Sequence, residues 1–166
     1  MRTITGTKPI TANELRDFLH LDHGGDDAQL QRCVDAGIDF VEMETERDIL
    51  VGDIVQDFSL PNCLGITLDR SPVLEVVSVS DLDPADYVVR RRSGRWRIVF
   101  SSPYTEVIVN YRTGMESPSP LVVQACLWAA AHFYLNREPE VIGGSVNQFE
   151  AGLNRLINKL KAASYA

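Results

Sequence analysis

The residue types best suited to chemistry cluster near the start of the chain, at His20, Asp22, His23, Asp26 and Asp27. Two imidazoles and three carboxylates are ligands that divalent metal ions accept. A small metal-dependent hydrolase that uses this loop is therefore one candidate function. The acids also stand where a following helix would begin, and carboxylates are favourable at a helix N-terminus. Helix capping explains them more simply, so the sequence predicts neither a metal site nor a bound cofactor.

The rest of the chain offers few groups for catalysis. No Ser, Cys or Lys lies in a recognisable nucleophile motif, and neither a P-loop nor a G-x-G-x-x-G pattern occurs. Cys33, Cys63 and Cys126 are far apart and form no C-x-x-C pair, so we expect free thiols in a reducing cytosol rather than a zinc site. His132 falls within an apolar segment and is expected to be a core histidine. The sequence thus predicts that the protein is not an enzyme.

Charge is distributed unevenly along the 166 residues, whose net charge is −7. The first 60 residues hold 13 acidic side chains against 5 basic ones. This balance argues against general nucleic-acid affinity, which needs clustered cations. Surfaces of opposite sign instead favour ordered self-assembly or docking. The N-terminal residues lack the apolar core of a secretory signal, so none is expected.

Five arginines and no acid occupy residues 90–97, on either side of a predicted hairpin turn at Ser93 and Gly94. We interpret this cluster as a subunit or partner interface that docks on an acidic surface. A DNA-binding module and an ordinary solvated hairpin are the alternatives. The cluster consists of Arg90, Arg91, Arg92, Arg95 and Arg97.

A nearly continuous apolar run at residues 120–137 predicts a helix buried on nearly every side. It is too short to cross a bilayer, so no membrane partner is expected. Residues 26–47 predict a longer helix, in which Gly37 indicates the close approach of another backbone. One face of that helix is acidic, as an ordinary solvated surface would be. The acidic residues are Asp35, Asp39, Glu42 and Glu46.

The C-terminal residues predict an amphipathic helix at 146–162. Its apolar side chains could pack on the protein's own core, or lie in a groove of a neighbouring molecule. The residues of this apolar stripe are Phe149, Leu153, Leu156, Ile157 and Leu160.

Between the helical segments, residues 53–112 alternate as β-strands do. We expect separate strands near 54–60, 64–68, 73–79, 87–91, 95–100 and 106–111, with a turn at Pro61 and Asn62 between the first two. The predicted class is α+β, a small helical bundle around a buried helix with an inserted antiparallel β-sheet. The predicted organisation is a single domain with helical residues 10–50, a β insertion at 53–112, a core helix at 118–138 and a C-terminal helix at 146–162.

The ordered set of segments resembles the head–tail connector (adaptor) proteins of long-tailed phages and of gene transfer agents. The likeness covers about residues 10–140 and is carried by six stretches. These are TANELRDFL (11–19), DDAQL (26–30), SPVLEVVSV (71–79), DPADY (83–87), VIVNYRTG (107–114) and AAAHFYLNRE (129–138).

The resemblance implies a structural role without catalysis, in the virion neck, after assembly in the bacterial cytoplasm. Such proteins form a ring, expected to be twelve-fold, between the portal and the stopper or tail-completion proteins. The ring extends the DNA channel, and DNA passes through it without specific binding. On this reading the acidic stripe lines the channel, the arginines lie at an interface, and the C-terminal helix contacts the portal.

Overall fold

The computed structural model describes residues 1–22, 26–80, 82–92, 95–136 and 146–162. The predicted α+β class is confirmed: the described residues form four α-helices and one five-stranded antiparallel sheet. The chain divides into two compact units. The sheet unit comprises Met1–Thr7 and Arg47–Glu116, and the helical unit comprises the described residues of Lys8–Glu46 and Ser117–Ser164. The interpretation as a single domain stays a prediction.

The sheet is built around two long strands. Strand β1 lies at one edge, followed by β2, β5 and β3, while β4 pairs with the first part of β5. The strand bounds are β1 Arg2–Ile4, β2 Gly52–Thr67, β3 Val73–Val79, β4 Tyr87–Arg92 and β5 Arg95–Thr113.

Strands β2 and β5 are each continuous where the sequence predicted two shorter strands, so the predicted turn at Pro61 and Asn62 is wrong. The chain instead passes through an irregular stretch in which the register with β5 shifts between Ser59 and Gly65. Asn62 has a φ of 52°, which Asn tolerates better than most residues. Proline, which lacks an N–H donor, is accommodated at such bulges.

The buried face of the sheet holds the apolar core of its unit. Ile54, Ile98 and Val109 belong to this core, as does Tyr111, which is 1% exposed. The Tyr111 hydroxyl donates a hydrogen bond of 2.6 Å to Gln56. Burial raises the pKa of Tyr111 to about 12, so this hydroxyl stays protonated.

A buried carboxylate at Asp48 ties three parts of the sheet unit together. Asp48 is 1% exposed, and its Oδ1 lies 2.9 Å from Arg70 and 3.3 Å from Arg2. Its backbone N–H donates to Ser71 at 2.7 Å. The N-terminal strand is therefore held by a charge pair as well as by its pairing with β2.

Replacing Asp48 with Ala should lower the free energy of unfolding by about 3 kcal/mol, because a buried charge partner is removed. Urea denaturation of the full chain measures this change. Asp57→Ala is the matched control, since Asp57 is exposed, and it should change stability by less than about 0.5 kcal/mol. Equal effects of the two substitutions would contradict the assigned role of Asp48.

The helical unit starts with a short capped helix. Helix α1 spans Ala12–Phe18 and is preceded by the predicted capping box: Thr11 accepts from the Glu14 N–H, and Glu14 accepts from the Thr11 N–H at 2.7 Å. The longer helices are α2 Asp27–Thr45, α3 Pro120–Leu135 and α4 Val146–Ala162. None of the helices in the described part of the chain is long and apolar enough to span a membrane.

Helices α2 and α3 meet through small residues. A Cβ atom added to Gly37 would lie 2.6 Å from the backbone nitrogen of Ala130. The predicted close approach at Gly37 is thus confirmed, and Ala130 of α3 is the neighbour. Ala125, Ala129 and Ala130 are all at most 1% exposed.

Helix α3 is covered along its middle and exposed near its ends. Val122 and Cys126 are buried together with the alanines, but Leu121 is 54% and Leu135 is 65% exposed. The predicted buried helix is confirmed over its middle, where residues 122–132 are all buried or half-buried, and the exposed positions lie near its two ends.

We expect Gly37→Ala to destabilise the protein by about 1–3 kcal/mol, because the added methyl meets backbone that cannot move aside. This loss outweighs the roughly 1 kcal/mol that Ala gains over Gly in helix propensity. Gly152→Ala in α4 is the matched control, since its Cβ would meet only the Trp128 side chain, at 3.4 Å. Thermal and urea unfolding should show the control to be neutral or slightly stabilised, and a stabilised Gly37→Ala would refute the close approach.

Candidate interaction surfaces

Two acids of the loop that was considered as an alternative metal site have partners within the helical unit. Asp26 accepts a hydrogen bond of 3.0 Å from the Tyr134 hydroxyl, and Asp27 pairs with Arg16. His23 lies outside the described residues. In the described part of the chain, no group of three or more His, Cys, Asp or Glu side chains could hold a metal ion.

The cysteines and His132 have surroundings that do not indicate catalysis. All three cysteines are free. Burial, with a smaller contribution from Glu42, raises the pKa of Cys126 to about 12, so its thiol is protonated at neutral pH and is a poor nucleophile. His132 lines a cavity of about 220 Å³ among mostly apolar side chains, and its Nδ1 lies 3.0 Å from the Asn136 amide nitrogen.

Strand pairing places four of the five clustered arginines on one face of the sheet. Arg90 lies opposite Arg97, and Arg92 lies opposite Arg95. Arg91 lies opposite Trp96, on the other face. We call the first set, together with Val88 and Val99, the arginine face; the side chain of Arg92 is outside the described part. The predicted cluster is therefore divided, because neighbouring residues of a strand point to opposite faces.

The arginine face is exposed and lacks acidic partners. Arg90, Arg95 and Arg97 are exposed, and none of them makes an ion pair with a described residue. Arg97 extends towards β2, where a Cβ added to Gly65 would be 3.2 Å from its Nε. Like charges directly opposite each other destabilise a sheet. This face therefore carries a repulsion that an anionic partner would relieve.

The four residues of the acidic stripe of α2 have different surroundings. Asp35 pairs with Lys8 and accepts a hydrogen bond of 3.1 Å from Gln31. Asp39 is exposed and Glu42 is half-buried. Glu46 lies just beyond the helix, where it is the C-cap in a left-handed conformation with a φ of 53°. The channel-lining role of these residues stays a prediction.

The apolar stripe of α4 is largely occupied within its own unit. Leu153, Ile157 and Leu160 are 5%, 2% and 6% exposed, and Leu156 is half-buried. The side chain of Phe149 lies outside the described part. Lys161 pairs with Glu44 of α2 at 3.2 Å. A portal contact through this stripe stays a prediction, and it would require α4 to leave the bundle.

Sequence reasoning missed an acidic face on the sheet. Asp57 lies opposite Ile108, and Val55 lies opposite Asn110. Val55 and Ile108 are 49% and 47% exposed. We call this set the acidic face; its charged members are Asp53, Asp57, Glu75, Glu106 and Arg112. The alternation of Asp53, Val55 and Asp57 is visible in the sequence, but only the register brings Glu75, Glu106 and Ile108 beside them.

The acidic face keeps a net negative charge after its internal pairing. Arg112 bridges Asp53 at 3.2 Å and Glu75 at 3.3 Å. Asp57 and Glu106 are exposed and have no ion pair among the described residues. Exposed apolar side chains in a charged rim are typical of an interaction surface.

Several solved structures share this fold. A chain from the neck of an empty GTA (gene transfer agent) particle computed with C6 symmetry aligns with a TM-score of 0.72 and 20% identity, over 97% of this chain and 95% of that chain. A chain from the virion of a native gene transfer agent particle aligns with a TM-score of 0.74 and 20% identity, over 97% of this chain and 95% of that chain. A chain from the neck of a native GTA particle computed with C12 symmetry aligns with a TM-score of 0.68 and 18% identity, over 97% of this chain and 94% of that chain.

The chain shares the fold of these particle proteins. No protein-family model matches the chain, and no curated protein does. The resemblance found in the sequence is thereby supported at the level of the fold.

The repulsion within the arginine face leads to a prediction. Arg97→Gln should raise the free energy of unfolding by about 0.5 kcal/mol in low salt, because it removes one like-charge pair. The gain should shrink in about 1 M NaCl, where charges are screened beyond roughly 3 Å. Lys159→Gln is the matched control, because it removes one positive charge from the exposed side of α4, where no cation lies opposite it in a sheet. If Arg97→Gln destabilises the chain at every salt concentration, the arginine face has stabilising partners of its own.

Proposed function

We propose that this chain is a structural protein of a particle neck, where it forms a ring between the portal and the stopper or tail-completion proteins and extends the DNA channel. The observation that carries the proposal is the fold shared with GTA neck chains over 97% of this chain, at a TM-score of 0.72. The connector-like sequence segments support the same role independently.

The ring is the second part of the proposal. Neck structures that share the fold were computed with C6 and with C12 symmetry, and this supports cyclic assembly of the present chain. A ring acts by shape and surface charge, so it needs no catalytic group. The protonated Cys126 thiol and the structural pairing of Asp26 and Asp27 agree with such a role.

Within the ring, we propose that the acidic residues of α2 face the DNA. Asp39, Glu42 and Glu46 would repeat around the channel and create a negative potential. Phosphates would then slide past without binding.

We further propose that α4 contacts the portal. Its buried stripe is engaged in the bundle, but its outer side exposes Arg155 and Lys159. These two cations can meet an acidic portal surface without any unfolding. With this contact, the apolar stripe of α4 can stay packed in the bundle.

Co-expression with the portal protein encoded in the same gene cluster tests the proposed function. Electron microscopy of the purified complex should show a ring of this chain on the tail-facing end of the portal. Arg155→Glu combined with Lys159→Glu should weaken attachment at least about tenfold while circular dichroism stays unchanged. Asn154→Ala combined with Asn158→Ala is the control on the same exposed side and should still bind.

Failure of the unmodified chain to form a ring or to bind the portal would overturn the proposed function. Retained attachment of the doubly charge-reversed variant would remove α4 from the contact, while leaving the neck assignment intact.

A further inference from the structure

The sheet unit carries two exposed faces of opposite charge, and each has an apolar component. The arginine face combines Arg90, Arg95 and Arg97 with Val88, which is 52% exposed. The acidic face combines Asp57 and Glu106 with the exposed Val55 and Ile108. We infer that the arginine face of one copy docks on the acidic face of a second copy. This inference rests on the proposed function and names the surfaces through which the ring closes.

Charge complementarity favours this pairing. The acidic face holds four carboxylates against one guanidinium, whereas the described residues of the arginine face include no carboxylate. Apposition of the two faces relieves the repulsion between Arg90 and Arg97. It also supplies cations to Asp57 and Glu106, which have no ion pair within the described chain. Complementary potentials of this kind fix the register and orientation of a complex.

The apolar residues give the contact something to bury. Val88 and Val99 lie opposite each other beside the Arg90–Arg97 pair. Val55 and Ile108 lie diagonally on the acidic face, with Val77 of β3 also 63% exposed. On each face, side chains recur at every second residue of a strand, a spacing of about 6.6 Å. The charged and apolar side chains of one face can therefore lie against those of the other. Buried apolar area then adds to the electrostatic attraction.

The α2 stripe is a weaker match for the arginines. Its first member, Asp35, already has a cation in Lys8 and an amide in Gln31. Asp57 and Glu106 have neither. The acidic face of the sheet is therefore the surface that gains most from added cations.

Because the two faces differ, their contact is head-to-tail. A heterologous contact of this kind generates a closed ring when the rotation closes, and an open filament when it does not. The arginine face and the acidic face thus account for cyclic assembly from a single repeated interface. A two-fold dimer would need one face to match itself, and neither does, since each would oppose like charges.

A crosslinking experiment on the full chain tests the inference. In a Cys63→Ser background, which leaves only the buried Cys33 and Cys126, one variant carries Arg97→Cys and another carries Asp57→Cys. A short bismaleimide should link a mixture of the two variants into dimers and leave each variant alone monomeric. A chain carrying both substitutions should give a ladder of trimers and larger species. The yield should fall several-fold in high salt, and the background chain should give no products.

Charge reversal provides a second, independent arm. Arg90→Glu with Arg97→Glu, and separately Asp57→Lys with Glu106→Lys, should each abolish association measured by sedimentation at high protein concentration. Mixing the two reversed chains should restore it, because every contact again joins opposite charges. Arg32→Glu, at an exposed position of α2 outside both faces, is the control for added negative charge and should associate like the unmodified chain.

The outcomes separate this inference from the proposed function. A crosslinked ladder of open chains in electron micrographs would support the interface and count against the ring. Rings of unmodified chain on the portal, without crosslinks between the two faces, would leave the proposed function standing and overturn this inference. Salt-sensitive duplex DNA binding that the Arg90→Glu and Arg97→Glu variant loses, again without crosslinks, would assign the arginine face to DNA and also overturn it.

Discussion

The pairing of β2 with β5 is the constraint on which the surfaces of the sheet unit depend. It runs from Gly52 opposite Thr113 to Thr67 opposite Arg97, interrupted by the irregular stretch after Ser59. Since side chains alternate between faces, a slip of one residue would exchange the buried and exposed sets. The same register that buries Tyr111 therefore also gathers the acidic face. Strand β5 then carries the arginine face in its first part and the acidic face in its second.

The helical unit depends on a different constraint, the close contact of two backbones. Gly37 and Ala130 let α2 and α3 approach until no Cβ fits between them. Such contacts require small residues along one side of α3, and the larger apolar residues are then left to the other sides. Leu121 and Leu135, near the two ends of α3, are exposed.

The proposed interface gives the exposed charges of the sheet a role in contact rather than in stability. Arg90 lies opposite Arg97, and Asp57 and Glu106 have no ion pair among the described residues. Electrostatic complementarity sets orientation and partner choice more than raw affinity. The proposed role in a particle neck would need that kind of selectivity. In contrast, the buried Asp48 pairs with Arg2 and Arg70 through its Oδ1 and serves the fold itself.

The sequence by itself determined the local elements. The Thr11 capping box, the position of Gly37 and the alternation of residues in the sheet could be predicted, because they depend on neighbours in the chain. It did not determine where β2 and β5 continue, because a bulge replaces the turn that Pro61 and Asn62 indicate. The division of the arginine cluster, and the gathering of Asp57, Glu106 and Ile108 on one face, were decided by tertiary structure alone. Strand register joins residues some fifty positions apart, and no local pattern specifies it.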